Sequence, residues 1–168
     1  MALVVEVQYA DRRPWAPTRR SIGSWVDAAL GVRAGREVAV RVVGNAESRR
    51  LNRSWRGQDK PTNVLSFPAV SRGQAPFPAG AAPIPLGDLV VCAPVVAREA
   101  REQGKSRDAH WAHMIVHGTL HLLGHDHEKA ADATRMERRE VAILKRFGYR
   151  NPYLAGDGGR RDRQRQHG

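Results

Sequence analysis

Six of the chain's seven histidines fall between His110 and His127, and their spacing restricts what this segment can be. His110, His113, His117 and His121 are separated by three, four and four residues, so a helix would carry all four on one face. His117 and His121 stand one turn apart, the separation at which two imidazoles reach one metal ion. Gly124 follows three residues later and can take the left-handed backbone that ends a helix and turns the chain. His127 would then close the site from the far side. Three imidazoles with an open fourth position are the arrangement of a catalytic zinc site, because structural sites usually fill all four positions. The expectation is one zinc ion per chain on His117, His121 and His127, with His125 as an alternative third ligand. His113 is expected to line the site or to pack, and His110 to lie at the surface. Asp126 is expected either to orient an imidazole or to stabilise the turn.

The stretch His117-Gly-Thr-Leu-His121-Leu-Leu-Gly124-His-Asp-His127 is similar to the zincin helix His-Glu-x-x-His extended by x-x-Gly-x-x-His. It departs at position 118, where Gly118 stands in place of the glutamate that serves as general base. A peptidase reading therefore lacks its base. Three imidazoles also suit nickel, cobalt or copper, so the spacing does not select zinc by itself.

The rest of the chain alternates strand-like and helix-like segments. Ala2–Gln8, Glu37–Val43, Asn63–Phe67 and Leu86–Cys92 are rich in β-branched and aromatic residues and predict four strands, the third stopped by Pro68. Helices are predicted from Thr18 to Leu30, from an Asn45 cap through Leu51 and Trp55, and over Pro94–Gln103. Two more are predicted from Ser106 to Leu123 and over Ala130–Phe147. Arg56–Thr62 reads as a polar loop. Ser71–Pro85, rich in Pro, Gly and Ala, reads as a long mobile loop, whose length predicts either a role of its own, such as a flap, or disorder. The fold class is α+β, a small mixed four-stranded sheet packed with about five helices, one of them a zincin-like metal helix. At 168 residues this is one domain, over 1–155, followed by a basic tail over 156–168 with too little apolar surface to order.

Composition narrows the partners. The net charge is +11, and only four of the 28 basic residues are lysine. An arginine excess of that size attracts polyanions, and the guanidinium fork suits phosphate, which points to nucleic acid. No run of about 18 apolar residues exists, so no membrane partner is expected. The N-terminus makes a poor signal peptide and a cytoplasmic location is expected. The single cysteine, Cys92, excludes an internal disulfide and reads as a small buried hydrophobe.

A second block, Asn52-Arg-Ser-Trp-Arg-Gly-Gln-Asp-Lys-Pro-Thr-Asn-Val-Leu-Ser-Phe-Pro68, lies upstream. Together with Leu86-Gly-Asp-Leu-Val90 and the histidine block, it resembles the YbeY family of bacterial endoribonucleases over residues 45–148. The resemblance implies a metal on His117, His121 and His127 and a functional arginine in the cleft, matching Arg56. It implies a single-stranded RNA substrate rather than DNA. It also implies work in 3′-end maturation of small-subunit ribosomal RNA and in ribosome quality control, with the small subunit and assembly factors as partners. The residues are consistent with that chemistry. A zinc ion can activate water without a carboxylate at position 118, and Arg56 can stabilise charge on phosphate. Lys60 and the tail arginines 160, 161, 163 and 165 are candidate backbone contacts. Asp88 is assigned no catalytic role, and Ser66 is expected to pack or hydrogen-bond. A metallopeptidase-like hydrolase, and a non-catalytic ribosome assembly factor with a structural metal, stand as the alternatives.

Overall fold

Strands β1 (Val4–Tyr9), β2 (Arg36–Val43), β3 (Val64–Pro68) and β4 (Ile84–Cys92) pair in the order β1-β2-β4-β3. The first two pairings are parallel, and β3 runs antiparallel to β4 as an edge strand. The helices are α1 (Arg19–Leu30), α2 (Asn45–Arg56), α3 (Ala93–Gln103), α4 (Arg107–Leu122) and α5 (Ala130–Arg146), followed by a short turn over Pro152–Leu154. This computed structural model describes residues 4–31, 36–69, 84–124 and 130–154. The mixed sheet and helix set are those the sequence predicts. Among the described residues no helix is long and apolar enough to cross a membrane.

Local signals set most boundaries. Thr18 caps α1 by accepting from the Ser21 amide, and Ser106 caps α4 by accepting from the Ala109 amide. Gly31, Gly57 and Gly104 follow the ends of α1, α2 and α3. Three expectations shift. Gly44, not Asn45, caps α2, and the Asn45 side chain instead accepts from the Cys92 thiol. Arg56 is the last residue of α2 rather than the first of a loop. Pro68 ends inside β3, where an edge position tolerates its missing N–H. Of the predicted Ser71–Pro85 loop, residues 71–83 lie outside the described residues and Pro85 already belongs to β4. The predicted tail also lies outside them.

The sheet has two unlike faces. Val38, Val40 and Val42 of β2 and Leu89 and Val91 of β4 join Ile22, Trp25 and Val26 of α1 and Trp111, Ile115 and Val116 of α4 in the larger core. The opposite face holds a smaller cluster of Val43, Leu65, Val90, Cys92 and Val95, with Leu51 of α2 and Phe67 against it. Cys92 is a buried free thiol, as expected. Helix α4 is buried over most of its circumference, which is how an internal helix differs from an amphipathic surface one. Its polar residues therefore need partners inside the protein, and this sets up the site.

Two glycines let α4 approach the sheet. A Cβ on Gly118 would lie 2.9 Å from Leu89 Cδ2, 3.2 Å from Val64 Cγ2 and 3.3 Å from Ser66 Oγ. The Ser66 hydroxyl donates to the Gly118 carbonyl at 3.2 Å, the packing role expected for it. Gly87 has φ +148°, and its missing Cβ would collide with the Phe67 carbonyl oxygen and lie 2.8 Å from Leu122 Cδ2. The β2–β4 register shifts beside it, between Glu37 and Val38, so the bulged strand receives the end of α4.

Candidate metal centre

The three-four-four spacing produces a ladder of rings along α4. Ring centroids are 6.1 Å apart for His110–His113, 6.1 Å for His113–His117 and 4.7 Å for His117–His121. In the closest pair the two Nε2 atoms face each other at 3.1 Å. Two nitrogens bound to one tetrahedral zinc at about 2.0–2.1 Å would stand about 3.3 Å apart, so this pair fits a shared ion. Both residues are half-buried at the end of α4, just before Gly124, whose φ of +91° turns the chain as its position predicts. His127, with the alternative His125 and the orienting candidate Asp126, lies outside the described residues.

Three rings of the ladder, His110, His113 and His117, meet carboxylates that the helix periodicity does not announce. Helix α5 packs on α4 and buries Glu140, whose side chain has no solvent exposure. Its Oε1 accepts from His117 Nδ1 at 2.5 Å. Its Oε2 lies 3.2 Å from His113 Nε2 and also accepts from the Tyr153 hydroxyl. The Tyr153 ring meets His113 edge-on at 5.5 Å. His113, His117 and Glu140 thus place potential ligand atoms within 4.8 Å of one another, a cluster able to hold a metal. Sequence reasoning missed Glu140. The available signal was a charged residue in the buried run of Met136, Ile143 and Leu144.

His110 corrects an expectation. It is buried, at 2% exposure, because α3 covers it and brings Glu99 Oε1 to 2.9 Å from its Nε2. Asn63 also donates to Glu99. His113 packs inside the site, as expected, and is buried.

Electrostatics follow from these contacts. Burial alone would raise the Glu140 carboxyl, but hydrogen bonds from His113, His117 and Tyr153 outweigh it and hold it at about 2 rather than 4.5. Burial lowers the His113 imidazole below 6.5, against the pull of Glu140. Burial and Glu140 together raise the Tyr153 hydroxyl. Both Glu140 and His113 bind protons more readily in the unfolded chain, so acid favours unfolding. The His113 contribution is expected to fade as pH falls below 6.5, and the Glu140 contribution between 4.5 and about 2. Urea midpoints of metal-free protein should therefore hold between about pH 8 and about pH 7 and fall on further acidification to about pH 3. A flat profile would contradict these environments.

Arg56 ends α2 on the other side of the sheet, exposed and without an ion pair among the described residues. The strand between it and the histidines is β3. On one face Phe67 meets Trp55 at 5.8 Å between ring centroids, and on the other Ser66 meets Gly118. Arg56 and the histidine pair thus belong to helices that grip the same edge strand from opposite faces. Lys60, in the following loop, is exposed, and so is Asp88 on β4.

Comparison with known proteins agrees with the motifs. The family model described as Endoribonuclease YbeY matches residues 9–148. A protein of Halorhodospira halophila named Endoribonuclease YbeY is 55% identical over 141 residues, covering 82% of this chain and 88% of that one. One of the same name from Alkalilimnicola ehrlichii is 54% identical over 157 residues, covering 90% and 92%. A solution structure from Thermotoga maritima superposes with a TM-score of 0.57 at 21% identity, over 95% of this chain and 93% of that one, and so shares the fold.

Proposed function

The chain belongs to the YbeY family of endoribonucleases, and from that premise we propose that it is a metal-dependent endoribonuclease cutting single-stranded RNA during 3′-end maturation of small-subunit ribosomal RNA. The observation that carries the proposal is the pair of imidazoles His117 and His121, whose Nε2 atoms face each other at a distance suited to one ion. His117, His121 and His127 would hold that ion, with zinc the metal that best suits three nitrogens and an open position. When bound, it supplies Lewis-acid charge beside the phosphate and activates water near neutral pH.

The chain's own residues bind and orient the substrate. Arg56, exposed at the end of α2, is free to reach a phosphate and stabilise the charge that develops on it. An unpaired strand running past the β3 edge could approach α2 and α4 together, whereas a duplex is bulkier and stiffer. The +11 net charge favours any such polyanion and accords with the small ribosomal subunit as the setting.

The peptidase alternative is disfavoured at position 118. The glutamate it requires would point at Leu89, Val64 and Ser66, where a Cβ alone is already too close. A purely structural metal is disfavoured by the partial solvent exposure of His117 and His121.

The test is cleavage of a labelled single-stranded RNA by wild type beside Arg56→Ala and His121→Ala, all purified identically. Arg56→Ala should cut about 100-fold more slowly while binding metal as wild type does, the scale of losing one donor to a developing oxyanion. Equal cleavage by all three proteins would reveal a contaminating nuclease. No cleavage by metal-loaded wild type would move the reading to an assembly factor.

A further inference from the structure

A buried carboxylate with no cationic side chain against it is costly, and an apolar residue of the same size would serve the core at least as well. Among the described residues Glu140 is such a group, with neither lysine nor arginine paired to it. Its described hydrogen-bond partners are two histidines of α4 and one tyrosine. We propose that Glu140, steadied by Tyr153 and His113, is a positioning residue that fixes the tautomer of His117 and aims its Nε2 at the metal. The inference rests on the reading of His117 and His121 as ligands.

The geometry gives each oxygen a task. Oε1 lies 2.5 Å from His117 Nδ1, so Nδ1 carries the proton and donates it, and Nε2 keeps the lone pair that a metal requires. That Nε2 is the atom facing His121 Nε2. Oε2 is occupied by the Tyr153 hydroxyl and His113 Nε2, which hold the carboxylate plane against rotation about its last bond. With donors on both oxygens, Glu140 accepts hydrogen bonds rather than ligating, although it stands within the cluster able to hold an ion. His113 is then a brace one turn behind the ligands. Tyr153 recruits the segment after α5 to the same task, its ring packed edge-on to His113. Imidazole ligands commonly donate their second N–H to a carboxylate, and removing that acceptor costs about 10- to 100-fold in metal affinity.

The experiment compares wild type with Glu140→Met, Glu140→Gln, Tyr153→Phe and His117→Ala. Glu140→Met keeps the volume and removes the acceptor. Glu140→Gln keeps an acceptor and removes the charge. Circular dichroism checks the fold, nitrogen NMR of the metal-free proteins near pH 8 reads the His117 tautomer, and competition with a chromophoric chelator gives zinc affinity. Wild type should hold His117 in the Nδ1–H form before any metal is added. Glu140→Met should release it to a mixture of tautomers and bind zinc about 10- to 100-fold more weakly. Glu140→Gln should fall between the two, and Tyr153→Phe should lose less than Glu140→Met. A role confined to stability would lower the melting temperature and leave tautomer and affinity unmoved, which would overturn the inference. So would a loss in both Glu140 variants as complete as in His117→Ala, since Glu140 would then be a ligand. If Glu140→Met does not fold, an unchanged affinity in Glu140→Gln overturns it and a weakened one supports it. A wild type that takes up no zinc would remove the underlying metal reading, and the inference with it. Zinc uptake with unmoved variants would remove the inference alone.

Discussion

Replacing His121 with alanine should weaken zinc binding by about 100-fold or more and abolish RNA cleavage while the protein stays folded. A zinc site with four protein ligands contributes about 10–16 kcal/mol of apparent binding, so one imidazole of such a set is worth about 3 kcal/mol. The fold tolerates the loss because His121 is half-buried in the last turn of α4, whereas its neighbours Leu120 and Leu122 carry the packing. Its removal opens space beside His117 Nε2, which faces it at 3.1 Å, and that half-buried space admits water. Zinc content after dialysis, circular dichroism and RNA cleavage measured on one preparation check the three parts separately. Retained zinc in a folded His121→Ala protein would mean that the cluster of His113, His117 and Glu140 binds the ion without it.

Restoring the zincin glutamate by Gly118→Glu should create no peptidase and should prevent stable folding. The Cβ alone would press on Leu89, Val64 and Ser66, and overpacking of this kind costs about 1–3 kcal/mol. The carboxylate beyond it would be driven into the junction of α4 with β3 and β4, where an unpaired charge costs several kcal/mol more. Against a total stability of about 5–15 kcal/mol, that sum removes most or all of the margin. Gly118→Ala separates the two effects. It carries the steric cost without the charge and regains about 1 kcal/mol of helix propensity, so it should fold with only a modest loss. Urea unfolding of both variants and a casein assay on any soluble Gly118→Glu protein test this. A stable Gly118→Glu protein would mean that α4 stands farther from the sheet.

What the sequence could show was whatever one segment determines by itself. Helices α1 and α4 begin just after Thr18 and Ser106, where their predicted spans start, and Gly31 and Gly124 stand just past their ends, because caps and left-handed turns are local chemistry. The ladder from His110 to His121 follows from helical spacing alone. What it could not show was the facing element. His110 was expected at the surface because nothing in its own helix reveals that α3 will cover it and supply Glu99. Glu140 lies 23 residues from His117 in sequence, and only the packing of α5 on α4 joins them. Tyr153 arrives still later, through the turn that follows α5. The departure at position 118 was legible as a missing base, but its reason, the close approach of α4 to Leu89 and Val64, required the sheet.

The most direct test of the metal-dependent reading is to strip wild-type protein with a chelator, remove the chelator, and follow single-stranded RNA cleavage as zinc is returned. The account predicts no cleavage by the stripped protein. Activity should then rise in proportion to zinc and level off at one ion per chain, with no recovery in His121→Ala. Cleavage that survives stripping to below the zinc level of His121→Ala would contradict it.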